Sequence, residues 1–194
     1  NSFGDDTAAN EYLKNFPEIS KAKAIIFDVR ENGGGNGGVG YKILATLTDK
    51  ATPTSHSQTR DYKPSYRAWG RPDTNFDFDA WSFPAHGKFH FQGKVIVLTS
   101  PRTYSAAEDF AVAFDVMKRG TIMGEATGGS TGQPLMFSLP GGGSARVCTK
   151  NDTYPDGKAF IGVGVQAHVV VTPKLDDYRQ GRDTVLEAAI KALQ

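Results

Sequence analysis

The sequence predicts one mixed α/β domain, and three observations carry that expectation. Two strand-sized apolar runs, Lys23–Val29 (KAIIFDV) and Lys94–Thr99 (KVIVLT), read as buried strands. Each leads, through a loop, toward a segment whose apolar residues recur at helical spacing. At 194 residues and 39% hydrophobic composition, the chain is long enough for one core that buries about 70% of the unfolded surface.

Asp5-Asp6-Thr7 offers helix-capping oxygens, and Tyr12, Leu13, Phe16 and Ile19 follow at helical spacing, so the first helix begins there. After the strand at Lys23–Val29 comes the glycine run 33–40, then a helix ending near Leu47. Ser105–Arg119 is the clearest helix: Phe110, Ala111, Phe114 and Met117 define one apolar face. Short alternating strands are expected at Thr121–Met123, Leu135–Leu139, Ala145–Thr149 and His168–Val171, and a last helix from Asp183-Thr184 carries Val185, Leu186, Ala189 and Leu193. No internal repeat is present. The opening Asn1-Ser2-Phe3-Gly4 has neither an initiator Met nor a signal peptide and reads as the start of a C-terminal fragment of a longer protein.

One segment resists periodicity. Ala51–Gln92 holds nine of the 21 aromatic residues, both tryptophans (Trp69 and Trp81) and three of the four histidines. A long stretch of this kind is often functional when ordered, and the plainer alternative is a loop whose aromatics cover a core edge.

Composition excludes several function classes. Lys plus Arg number 22 against 21 Asp plus Glu, a net charge of +1, which gives no reason to expect a nucleic acid or an anionic membrane as partner. No apolar run approaches the ~18–20 residues of a membrane span. A lone cysteine, Cys148, rules out an internal disulfide framework and a cysteine-built zinc site. His86 and His90, four apart, suggest a metal pair on a helix, but Gly87 and the alternating Phe89 and Phe91 favour a strand or loop. No metal or other cofactor is called for.

Three constellations carry chemistry. Asp28-Val29-Arg30-Glu31-Asn32-Gly33-Gly34-Gly35 places glycines directly after a strand, where exposed N–H groups can meet an anion. Gly35–Gly40 also spells G-x-G-x-x-G, but the strand ends in Asp-Val-Arg-Glu-Asn before the first glycine and no second βαβ half follows. Ser105 and Glu108 form S-x-x-E, which locally is a capping box; a serine at a helix start is equally well placed as a nucleophile, with N–H groups and the positive end of the helix dipole behind it. Gly124-Glu125-Ala126-Thr127-Gly128-Gly129-Ser130-Thr131-Gly132 is by itself only a turn-rich, hydroxyl-rich loop.

Taken in order, the D-x-R-x-N-x-G-G strand end, the S-A-A-E helix start, the G-E-x-T-x-G loop and a late G-x-G-V turn at Gly162–Val165 resemble the tail-specific (C-terminal processing) serine proteases. The resemblance extends to the tricorn core protease and the interphotoreceptor retinoid-binding protein repeats, and runs the length of the chain. It implies a β-β-α spiral of the Clp protease/crotonase type, a single catalytic core over residues 1–194 with an insert at about 51–92, and a periplasmic or secreted bacterial location. It further implies a serine endopeptidase that cleaves unstructured polypeptide near hydrophobic residues. Carried over by position, Ser105 matches the nucleophile, Ala106 and Gly35 match the two backbone oxyanion donors, and Gly34 is the neighbouring alternative to Gly35. Trp69 and Trp81 offer apolar surface for gripping substrate.

Two departures matter. The lysine of the Ser-Lys branch falls at Ser130, and the glutamate that orients a histidine in the tricorn branch falls at Ile161. The late Pro-Asp pair reads Ala167-His168. Ser130 cannot serve as a base at neutral pH, so the expectation is a general base supplied by the missing N-terminal part of the same protein. The alternative is a non-catalytic relative that binds an apolar ligand or a peptide in the same cleft.

Overall fold

The computed structural model describes residues 2–194. Helix α1 (Thr7–Ile19) and strand β1 (Ala24–Asp28) precede α2 (Gly37–Leu44), which tightens into a 3₁₀ turn at Ala45–Leu47. The insert contributes β2 (Thr52–Pro53), β3 (His56–Asp61), α3 (Pro64–Ala68), β4 (Thr74–Asp77) and β5 (Ser82–Phe83). Then come β6 (Lys94–Thr99), α4 (Ala106–Met117), β7 (Thr121–Gly124), β8 (Leu135–Ser138), β9 (Ser144–Val147), β10 (Asn151–Thr153) and β11 (Val169–Val170), and the chain closes with α5 (Leu175–Arg179) and α6 (Thr184–Leu193).

A parallel sheet of order β1-β6-β7-β11 is the frame. Its second strand explains why KVIVLT is apolar throughout: both faces are covered. Val95 and Val97 enter the core shared with α1, α2 and α4, while Ile96 and Leu98 pack with Val185 and Ala189 of α6. The mixed α/β expectation holds.

Three local expectations are corrected. β1 is half-buried rather than buried, because it lies at an edge of the sheet. α4 is not amphipathic: Ala106, Ala107, Phe110–Asp115 and even Glu108 are buried, as befits a helix enclosed on all sides. The insert is ordered by pairing, with β3 between β4 and β10 and β2 against β5. No apolar alternation announces these strands, since β4 is fully exposed and β3 is polar, and β10 lies far along the chain.

Ionic contacts tie α6 to the frame. Arg30 grips Asp183, the N-cap of α6, through two bonds of 2.8 and 2.7 Å and also binds Asp28. The Arg30 guanidinium holds the Asp183 carboxyl below the usual carboxylate range.

Candidate active site

The four motifs meet at the N-terminus of α4. Thr103 Oγ1 donates to the Val29 carbonyl (2.8 Å), Ser100 Oγ to the Arg30 carbonyl (2.6 Å), and the Tyr104 amide to the Asn32 carbonyl (3.0 Å), so the turn before Ser105 is stitched to the end of β1. Asn32 is buried, and its Oδ1 accepts the Gly34 amide at 2.9 Å.

Gly34 lies directly against the serine. Its φ is +100°, and a Cβ there would come within 2.6 Å of Ser105 Cβ, so both backbone conformation and space require glycine. The Gly34 carbonyl accepts from Phe3 and the Phe3 carbonyl accepts from Asn36. With the Gly34 amide engaged by Asn32, the Gly35 amide is left without a hydrogen-bond partner among the described residues. The Ala106 amide, at the start of α4, is likewise unpaired among them.

Ser105 itself sits at φ 55°, ψ −128°, a sparsely populated conformation that costs about 1–3 kcal/mol and recurs at functional sites. The S-x-x-E pair has the arrangement of a capping box, yet the hydroxyl makes no cap hydrogen bond to a helix amide. Both halves of the box are in place, but the bonds themselves run through the backbone of Ser105: Glu108 Oε2 accepts the Ser105 amide at 3.2 Å, and the Glu108 amide donates to the Ser105 carbonyl at 2.7 Å. The nucleophile and cap readings compete for one oxygen, and among the described residues that oxygen makes no hydrogen bond.

Glu108 has a larger task than sequence reading assigned to it. Fully buried, its carboxylate also accepts Thr127 Oγ1 (2.6 Å), the Gly129 amide (2.6 Å) and the Ser130 amide (2.8 Å). It fixes the G-E-x-T-x-G loop beneath Ser105, and the Ser105 amide donates back to the Ser130 carbonyl (3.1 Å). Thr127 in turn binds the late glycine turn: its hydroxyl accepts the Val165 amide (2.7 Å), and its amide donates to the Val165 carbonyl.

Ser105 borders two cavities. One, of about 210 Å³, is lined by Gly35, Ala106, Asp109, Gln133 and Lys150 among others. The second, about 430 Å³, is lined by Gly33, Tyr104, Ser130, Arg146 and Cys148 among others. A third, about 400 Å³, shares Gln133 and Lys150 with the first and is completed by Ser57, Thr59 and Phe78 of the insert. The insert thus reaches the site through β3 and Phe78. Trp69 and Trp81 line none of these three cavities: Trp69 carries Arg71 over its ring, and Trp81 packs on Tyr41.

The histidines are placed elsewhere. His56 pairs with Asp77, His86 stacks on Phe89, His90 is exposed, and His168 binds Asp115 near the far end of α4. Ile161, where the resemblance leads one to expect an orienting glutamate, packs against the core. Sequence reading missed Asp109, Lys150 and Asp152. Asp109 could have been noticed, four residues after Ser105; Lys150 and Asp152 carry no local signal.

Residues 1–171 match Peptidase family S41, and the chain belongs to that family. It is 25% identical over 186 residues to a carboxy-terminal-processing protease of Bartonella bacilliformis, covering 95% of this chain and 39% of the relative. With the chloroplastic C-terminal processing peptidase of Tetradesmus obliquus it shares 26% identity over 162 residues, covering 82% of this chain and 32% of the relative. Among solved structures, a candidate peptidase of Parabacteroides merdae superposes with a TM-score of 0.82 at 26% identity, covering 99% of this chain and 58% of that one. The chain therefore spans roughly a third to two-fifths of the length of these curated relatives.

Proposed function

We propose that this chain is the catalytic core of a serine endopeptidase acting through an acyl-enzyme at Ser105. The observation that carries the reading is a strained serine whose hydroxyl makes no hydrogen bond among the described residues and which lines one cavity with Gly35 and Ala106, whose amides are likewise without partners among those residues. Ser105 Oγ attacks the scissile carbonyl carbon, and the two amides receive the oxyanion, each contributing roughly 3–4 kcal/mol at the transition state. The C–N bond then breaks, the amine leaves with a proton, and the acyl group remains as a serine ester. Water cleaves the ester and restores the hydroxyl. The base that carries these protons comes from the N-terminal part of the full-length protein, because Ser130 and Ile161 occupy the two positions where the resemblance leads one to expect a catalytic lysine and an orienting glutamate. The reading brings with it a polypeptide substrate, no cofactor, and a periplasmic or secreted bacterial location; no helix among the described residues is long and apolar enough to cross a membrane.

A serine-directed fluorophosphonate applied to the full-length protein tests it. Ser105 should be labelled, and Ser105→Ala should abolish labelling; a label that survives the substitution would count against the assignment. The isolated 194-residue chain should fold and hydrolyse peptides poorly. Efficient hydrolysis by it, lost on replacing one of its histidines, contradicts an external base. The second reading, a non-catalytic peptide or apolar-ligand binder, is favoured by the same two replaced positions, and it predicts peptide binding with no labelling in the full-length protein.

A further inference from the structure

The cavity of about 210 Å³ beside Ser105 contains more charge than a pocket for an apolar residue needs: Asp109 and Lys150 both line it, with Gln133 and Thr131. The Lys150 ammonium is committed to Asp152 Oδ1 (2.8 Å) and Ser57 Oγ (3.2 Å). Asp152 is fully buried, and its Oδ2 has no hydrogen-bond partner among the described residues. Asp109 lies close by. Burial, then the negative charge of Asp152, push its carboxyl up to about 7, against the opposing pull of Lys150 and the Ser55 hydroxyl. Glu108 adds a small repulsion, but its own charge is already held by four donors. Two carboxylates thus share one ammonium, which is in contact with Asp152, and Asp109 forms no ion pair of its own among the described residues.

We propose that this cavity is a specificity subsite for a lysine or arginine side chain on the acyl side of the scissile bond, with Asp109 as its counter-ion. The inference rests on the acyl-enzyme reading of Ser105. A substrate cation balances the charge of the cluster, and its aliphatic stem can lie along Ala106 and Pro134, which also line the cavity. An apolar side chain would desolvate Asp109 further without supplying the charge it lacks, and an acidic one would add a third negative charge. The acyl side follows from the donors: Gly35 and Ala106 line this same cavity. The Cα of the acyl residue is bonded to the carbonyl carbon they serve, one atom closer than the Cα of the leaving residue. This departs from the hydrophobic preference expected from the resemblance.

The experiment uses the full-length protein carrying Ser105→Ala and fluorescent Ala/Gly peptides that differ only in one central residue: lysine, norleucine or glutamate. The lysine peptide should bind at least about tenfold more tightly than the norleucine peptide, and the glutamate peptide most weakly; Asp109→Asn in the same background should erase the lysine advantage. Equal affinities, a norleucine or glutamate preference, or a lysine preference that survives Asp109→Asn overturns the subsite. On unmodified full-length protein, a peptidyl diphenyl phosphonate with the lysine side chain next to phosphorus should label Ser105 at least about tenfold faster than its norleucine analogue. A lysine preference in binding without one in labelling overturns the acyl-side assignment. Ser105 labelling by a simple fluorophosphonate with no lysine preference in either assay rejects the subsite and leaves the peptidase reading standing. Lysine-selective binding with no labelling by any probe rejects the nucleophile, and the acyl-side assignment falls with it.

Discussion

The two ends of α4 hold similar groups in opposite states. At the C-terminal end both carboxylate oxygens of Asp115 are engaged: it accepts from Lys118 (2.8 Å), the Tyr154 hydroxyl (3.0 Å) and His168 Nε2 (3.0 Å). His168 Nδ1 accepts the Ile122 amide at 3.0 Å, so in the neutral ring the proton sits on Nε2, facing Asp115. At the N-terminal end Ser105 has a strained backbone and, among the described residues, a hydroxyl without a hydrogen bond, and it shares a cavity with Gly35 and Ala106, whose amides have no partner among those residues. The chain therefore possesses a histidine–aspartate pair of the sort that can activate a serine, but ten residues of helix, about 15 Å, separate it from Ser105. A catalytic residue type in the right chemical company is still structural when it stands at the wrong end.

Substitutions at each end sharpen that contrast. The largest effect should come from Ser105→Ala, with a loss on the order of 10⁶ in peptide hydrolysis by the full-length protein. The same change should leave the urea midpoint nearly unmoved, since the hydroxyl caps nothing; a destabilisation of about 0.5–2 kcal/mol would mean that it does act as a helix cap.

Glu108→Ala should destabilise the fold by about 3–5 kcal/mol, because three donors from the 127–130 loop lose a buried carboxylate. His168→Ala at the other end should cost only about 1 kcal/mol. Comparable urea-denaturation losses for the two would erase the distinction between the ends.

Gly34→Ala is expected to slow fluorophosphonate labelling about 100-fold, since displacement of the serine by its new Cβ is a misplacement of the kind that costs this much. An unchanged rate would show that Ser105 tolerates the shift.

The smallest effects are two pH slopes of opposite sign. Burial pushes the Asp115 carboxyl up, but hydrogen bonds from Lys118, Tyr154 and His168 together hold it below its ordinary value of 3.8. Its contribution is therefore present above about pH 4 and lost as pH falls through the folded value. Asp109 is raised to about 7, by burial first and then by Asp152. The folded state then binds more protons than the unfolded chain between about pH 4 and 7, and stability from this site falls as pH rises through that window. Asp109 is surrounded by Asp152, Lys150, Glu108, Ser55 and Tyr41, and Asp109→Asn should flatten the neutral-side decline in urea midpoint. Asp115→Asn should flatten only the acid side. Loss of the neutral-side slope in Asp115→Asn would contradict the assignment.

Much of the fold was legible from local pattern, and the reasons differ by element. β6 was readable because a central parallel strand is apolar on both faces, and α6 because Asp183 caps it and accepts the Leu186 amide. The insert strands were not readable, because β3 and β4 are polar and exposed and owe their order to pairing. At the site, Ser105, Gly34 and Gly35 were marked by short motifs. Glu108 was visible only as half of a capping box, since its other three donors come from a loop some 20 residues on.

By itself, the sequence determined the strand and helix order around the parallel sheet, the family motifs and the absence of lysine at position 130 and glutamate at position 161. Those are properties of neighbouring residues: periodicity, a glycine where a side chain has no room, a residue type at a motif position. Only the tertiary structure decided that the Ser105 hydroxyl makes no hydrogen bond among the described residues, that His168 serves Asp115 instead, and that Asp109, Lys150 and Asp152 gather at one cavity. Each of these depends on which unpaired donor or buried charge finds a partner from a distant segment, and burial sets that pairing where no local pattern records it.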